Sequence, residues 1–337
     1  MKTLLKPPQL IYLVTRVHGL SRHLIEPDDT KLILDAKDLK EAIERIPKSE
    51  YPEIIKLATL DATVLERIFL EKMVERFYFI VKAASGDVQS FFKVYSSRFE
   101  MENVKRVLRA IHGGEPLEEQ NLIPLIKEFT LVNFSALMKA KDLKEAVGLL
   151  RETDYGHLIG DFELYQRFRT TSILEASLDK HYYERLNEVA QRIPNKELVK
   201  SIIGFEIDLK NLMTILLLKM QGVEQEEIQN RIVELFYKVR EFRIKSLIEA
   251  RTEDFAHILK SLYYAKFAEE IQTVLSNGSW KEGERIFSAE LHDEASKIAA
   301  RNPHTLAFVL YYLIRCEYEA KDLIAAAVSK QIRQLQG

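Results

Sequence analysis

Apolar residues recur along this chain at helical spacing, and on one long segment they cover every face. Between Pro194 and Gln221 stand Ile202, Ile203, Phe205, Ile207, Leu209, Leu212, Ile215 and Leu216, with Asp208 and Asn211 among them. Apolarity all round predicts a helix buried among other helices, roughly 40 Å long at about 1.5 Å per residue. No stretch alternates apolar and polar residues between turn signals, as a strand would. Breakers are few. Ile111-His-Gly-Gly-Glu-Pro116 and Met220-Gln-Gly222 read as short linkers, and Ser276-Asn-Gly-Ser-Trp280 as a turn. The pattern predicts an all-α protein of long helices and short connections.

The pattern also repeats. The heptapeptide AKDLKEA occurs at Ala36–Ala42 and again at Ala140–Ala146, an offset of 104. The same offset carries Leu70-Glu71 onto Leu174-Glu175 and Tyr78 onto Tyr182. A second element, acid–x–x–Asn/Asp–aliphatic, occurs three times: Glu100/Asn103/Val104, Asp208/Asn211/Leu212 and Glu319/Asp322/Leu323, spaced by 108 and 111. Gly86, Pro194 and Pro303 precede the three acids and predict that each lies mid-way along a helix opened by a breaker. A fainter counterpart of the heptapeptide, at 249–259, aligns Ala256 with Ala146. Three divergent copies are expected, over 9–115, 116–222 and 223–330. The period is too long for a solenoid, and each copy is large enough for a small core of its own. Three tandem copies close around a pseudo-threefold axis or stack in a row; the sequence leaves both open.

Composition narrows the function classes. The 337 residues are 47% hydrophobic and 30% charged, which suits a folded chain of more than one domain. Only 12 Gly and 9 Pro are present, too few for the many turns of a sandwich, barrel or doubly wound sheet. Lys and Arg number 49 against 51 Asp and Glu, so the basic excess of a free-standing nucleic-acid binder or an anionic-membrane patch is missing. The single Cys316 excludes an internal disulfide and a cysteine-built zinc site, and fits a reducing compartment. The opening MKTLLKPPQLIYLVTR does not read as a signal peptide. The longest apolar runs, such as Leu306 to Ile314, fall short of the ~20 residues that span a bilayer. A soluble, cytoplasmic-type chain without a transmembrane segment is expected.

Familiar catalytic signatures are absent: no GxGxxG, no P-loop, no GxSxG and no HExxH occurs. No cofactor, metal or small-molecule substrate is therefore expected. Asp28-Asp29 after Pro27 reads as a helix cap rather than a metal pair. His18 and His23, five apart, do not share a helix face. Cys316 in an apolar helix reads as a buried structural thiol. The recurring pairs Glu100/Asn103, Asp208/Asn211 and Glu319/Asp322 are the one polar constellation left, and residues three apart share a face. If buried, each needs a partner, and Arg16, Arg109 and Arg315 are the basic candidates. Two readings stand: a structural network within each copy, or a solvated or cavity-lining stripe. Three copies of one acid argue against a single active site. Phe77-Tyr78-Phe79 and Tyr311-Tyr312 read as core or, alternatively, as faces for a partner helix.

The opening Tyr12-Leu-Val-Thr-Arg16-Val17, the AKDLKEA helix and the three acid elements about 110 apart together resemble the C subunit of archaeal and bacterial A/V-type rotary ATPases, whose eukaryotic counterpart is the d subunit of the vacuolar ATPase. The resemblance spans about 9–330 and is carried by order and period, not by one diagnostic motif. It is weakest in the third copy, where Asp322 replaces Asn and the heptapeptide has faded. It implies an all-helical protein whose three similar domains form a funnel with a central socket. It further implies a non-catalytic rotor component, monomeric within the complex, on the cytoplasmic face of the membrane. Its partners would be the central-shaft subunits and the membrane proteolipid ring, with no nucleic acid, nucleotide or ion bound. The rival expectations are a helical scaffold in some other complex, and an all-α metal-dependent enzyme of the isoprenoid-synthase kind, which would need paired aspartate-rich motifs.

Overall fold

Both AKDLKEA segments fold alike, because each carries an aspartate that caps the helix it opens. Asp38 accepts the Glu41 N–H at 2.8 Å while Glu41 reaches back to the Lys37 N–H at 2.9 Å, opening the helix Leu39–Arg45. Asp142 and Glu145 repeat the arrangement, with Glu145 reaching Lys141 N–H, and open the helix Leu143–Leu149. These reciprocal bonds satisfy donors that a helix start leaves orphaned. In the fainter third segment the helix Phe255–Leu259 has no side-chain cap, although Ala256 is buried.

The computed structural model describes residues 8–57, 60–265, 268, 269, 271, 272 and 280–336. The start of the chain and most of the turn expected at Ser276–Trp280 lie outside the described residues. Among the described residues the chain is α-helix and short 3-10 turns, with no strand. None of these helices is long and apolar enough to cross a membrane.

The chain divides into two compact units. The first joins 1–99 and 120–129 to the C-terminal 298–337. Its spine is the helix Leu306–Gln336, which packs on Pro8–Ser21, Pro27–Leu34, Leu39–Arg45 and Ala62–Ala83. Leu323, Ala326 and Ala327 thus share a core with Ile33, Leu39, Ile43 and Phe69 from the opposite end of the sequence. The second unit joins 100–119 to 130–297. Here the helix Lys196–Met220 packs on Ser172–Ala190, Gln225–Arg231 and Glu241–Glu249, and Leu158–Phe168 packs on Ser172–Ala190. Its core gathers Ile173, Phe205, Leu212, Leu247, Phe255 and Tyr264. Gly222, with φ of +72°, ends the Lys196–Met220 helix in the left-handed region that glycine tolerates best.

Several local expectations shift. Glu100 is not mid-helix: the helix that Gly86 opens stops at Ser96, and a new one, Arg98–Gly113, places Glu100 in its first turn. The Ser96 and Ser97 hydroxyls turn back onto Phe92 and Val94 carbonyls, local bonds that compete with helix continuation. Asp208 and Glu319 do lie inside their helices. Asp28 and Asp29 are first-turn residues after Pro27, with Glu26 at the cap position and no side-chain cap bond. They act on the helix dipole instead. His18 Nε2 lies 2.7 Å from the Pro303 carbonyl and its ring stacks on Phe308, while His23 pairs with Glu50. Cys316 is fully buried, and burial pushes its thiol up to about 12.

Candidate functional site

The three acids of the recurring polar pairs, Glu100, Asp208 and Glu319, are all buried. Asp208 has no solvent exposure. Its helix presents it to the irregular segment 232–240, between Gln225–Arg231 and Glu241–Glu249. Oδ1 accepts the Tyr237 N–H at 3.2 Å; Oδ2 accepts the N–H groups of Lys238 at 2.6 Å and Val239 at 3.0 Å, and the Tyr264 hydroxyl at 3.1 Å. One turn further on, the Asn211 amide reads a single residue's backbone from both sides: Oδ1 accepts Val233 N–H at 2.8 Å and Nδ2 donates to Val233 O at 2.9 Å. A segment without secondary structure needs such partners for its backbone once buried. The pair supplies them as a clamp.

Glu100 is also buried and does the same. It accepts Leu131 N–H at 2.6 Å, Val132 N–H at 3.0 Å and the Tyr155 hydroxyl at 3.1 Å. The clamped N–H groups lie 31 and 32 residues downstream and the tyrosine 55. For Asp208 they lie 29 to 31 downstream, and the tyrosine 56. Asn103 is buried one turn beyond Glu100.

Glu319 instead holds groups far upstream of it in the sequence. Oε2 accepts Ile25 N–H at 2.6 Å, and Oε1 accepts both the Tyr51 hydroxyl and an Arg76 N–H at 2.6 Å. The Arg76 guanidinium also lies 3.7 Å from Glu50. Asp322, three residues on, is half-buried. Each acid therefore serves its own segment.

Burial dominates the electrostatics of the first two acids. It raises the Glu100 and Asp208 carboxyls above their ordinary values, although the N–H and phenol donors pull the other way. Burial and the adjoining carboxylate raise the phenols of Tyr51, Tyr155 and Tyr264, which stay protonated and donate. Asp179 shows the opposite result. Burial alone would raise it, but Lys105 at 2.5 Å and Lys210 at 3.1 Å hold it below the usual range.

The basic partners expected from the sequence go elsewhere. Arg16 lies over the Phe79 ring, Arg109 pairs with Glu175 and Glu102, and Arg315 approaches Glu26. Backbone amides and tyrosines take their place, with Arg76 at Glu319. The tyrosines had a signal in the sequence: Tyr51 and Tyr155 are separated by the same offset as Ala36 and Ala140. Phe77 and Tyr312 are core residues, while Tyr78 binds Glu128. Among the described residues no group of three or more His, Cys, Asp or Glu side chains is placed to hold a metal ion.

These features can be set beside known proteins. The sequence profile described as ATP synthase (C/AC39) subunit matches residues 13–334. The C subunit of the A-type ATP synthase of Methanobrevibacter smithii is 25% identical over 312 residues, covering 89% of this chain and 80% of that one. The protein of the same name from Methanothermobacter thermautotrophicus is 25% identical over 313 residues, with 89% and 80% covered. That of Methanocaldococcus jannaschii is 24% identical over 315 residues, with 90% and 78% covered. With nearly its whole length matched, this chain belongs to the ATP synthase (C/AC39) subunit family.

Proposed function

We propose that this chain is the non-catalytic C subunit of an A/V-type rotary ATPase or ATP synthase. In this reading it is a rotor piece that passes torque between the central-shaft subunits and the membrane proteolipid ring. The observation that carries the reading is the family match over 13–334, joined by relatives named for that subunit across most of their own length. The all-α fold and the absence of a spanning helix among the described residues suit a peripheral location. Three helical copies, 9–115, 116–222 and 223–330, around a socket for the shaft belong to the same reading. The recurring clamp of a buried acid, backbone amides and a tyrosine supports it. A single copy per complex belongs to it too, because a chain that carries three copies need not oligomerise to enclose an axle; a place on the cytoplasmic face belongs to the same reading.

The chemistry suits a coupling element. Torque is transmitted by parts that do not yield, and buried carboxylates that bind irregular segments through two or three backbone N–H groups remove the softest degrees of freedom from a helical chain. The test is purification of tagged chain from its own cells at low ionic strength, with its partners identified by mass. Rotary-ATPase shaft and ring subunits should accompany it; recovery of the chain alone, or in an unrelated assembly, contradicts the reading.

A further inference from the structure

The Asp208 clamp fixes more than backbone. The segment it holds carries Tyr237 and Lys238, and its fourth donor, Tyr264, is the chain neighbour of Tyr263. Tyr237 is 36% exposed, Tyr263 50% and Phe242 56%. A cation lies over each ring: the Lys238 ammonium is 4.6 Å from the Tyr237 centroid and 5.1 Å from that of Tyr263, and the Arg243 guanidinium is 5.1 Å from that of Phe242. Arg240 stands exposed between them. Close approach of the segment to its helix depends on Gly204, where a Cβ would stand 2.9 Å from the Tyr237 Cβ. One buried carboxylate, four residues further along the same helix face, thus holds the backbone that carries Tyr237 and Lys238 and the hydroxyl of the neighbour of Tyr263.

Lys238, Arg240 and Arg243 form no ion pair among the described residues, whereas the nearby Glu241 is taken by Lys245 at 2.7 Å. Three cations without a carboxylate, two of them seated on partly exposed rings, make a surface whose complement is anionic. Tyrosine, phenylalanine and arginine are also the residues enriched where proteins meet. The rings lie against their cations and do not project as an apolar wedge, and Glu234, Glu241 and Glu249 cluster around Lys245 at the edge of the ridge. An anionic bilayer would repel those acids and find no anchor. A protein segment of mixed charge fits both features.

We infer that the ridge Tyr237–Lys238–Arg240–Phe242–Arg243, with Tyr263, docks a carboxylate-bearing protein segment of a neighbouring subunit. The inference rests on the rotor reading for the identity of its surroundings.

The test uses the assembled complex. A carbodiimide joins an ammonium to a carboxylate in direct contact, so treatment of the intact complex followed by peptide mass analysis should find Lys238 linked to an Asp or Glu of another subunit. Lys238 left unmodified, or joined only to acids of its own chain, overturns the docking proposal while the rotor reading stands. A chain that purifies with no such complex overturns both. In parallel, Lys238→Gln combined with Arg243→Gln should speed release from the complex roughly tenfold at low salt. The difference should narrow as salt rises, and the melting temperature of the isolated chain should stay unchanged. Release at the unaltered rate contradicts the proposal. Flotation of the isolated chain with phosphatidylserine vesicles, abolished by the same double variant, would assign the ridge to the membrane instead and overturn the protein partner.

Discussion

The Glu319 and Asp208 clamps hold the same kind of backbone with different donors. In the first unit Glu319 binds one N–H, one phenol and a guanidinium, and the residue whose N–H it holds, Ile25, is buried. In the second unit Asp208 binds three N–H groups and a phenol with no cation, and the residues it holds include exposed Tyr237 and Lys238. Glu100 resembles Asp208 here, since the Leu131 it holds is also exposed. The difference shows one motif at two tasks. Where backbone donors are few, a buried acid takes an ion pair, and the result fastens the C-terminal helix to the beginning of the chain. Where donors are many, neutral groups suffice, and the segment turns its side chains outward.

The largest effect should come from the charge-paired clamp. Arg76→Met leaves Glu319 buried without its cation, and breaking one side of a buried pair costs about 3–5 kcal/mol. A melting experiment should show the variant far less stable than Asp208→Ala; equal losses would erase the distinction. Asp208→Ala strands the N–H groups of Tyr237, Lys238 and Val239, for about 2–3 kcal/mol given partial access of water to that segment. Hydrogen exchange at 237–239 should rise with it. Unchanged protection there would mean that the carboxylate does not hold the segment.

The pH dependence separates two acids within the second unit. Asp208 has a raised carboxyl, so its contribution to stability is present below the ordinary value of 3.8 and lost as pH rises through its folded pKa. Asp179 has a lowered one, so its contribution is present above 3.8 and lost as pH falls through its folded pKa. Lowering the pH from neutral should therefore favour the native chain increasingly over Asp208→Asn, and progressively less over Asp179→Asn. Parallel melting curves across that range check both signs at once. The smallest effects belong to the caps. Asp38→Ala and Asp142→Ala should each cost about 1 kcal/mol and match each other closely, since their bonds are the same in both units.

Much of this could be read from the residues. The all-α class followed from apolar spacing and scarce breakers, and the AKDLKEA caps follow from aspartate three positions ahead of glutamate. The three acids were visible because they interrupt apolar helices at a common period. Their partners were not. A carboxylate in an apolar helix suggests an arginine, because side chains are what a sequence displays, whereas backbone N–H groups are at every position and mark none. Tyr155 and Tyr264 lie 55 and 56 residues from their acids, beyond any local pattern, and the only mark in the sequence was the shared repeat offset of Tyr51 and Tyr155. The break at Ser97 was hidden for a different reason: two serine hydroxyls end a helix that its apolar residues alone would continue.

The proposed coupling of a shaft to a membrane ring, without chemistry of its own, would make this chain dispensable for hydrolysis and indispensable for transport. The most direct measurement is the ratio of ATP-driven ion uptake to ATP hydrolysis in inverted membrane vesicles, before removal of this chain, after removal, and after adding it back. Coupling predicts that hydrolysis continues while uptake collapses without the chain, and that the native chain restores the ratio. An unchanged ratio after removal would contradict it.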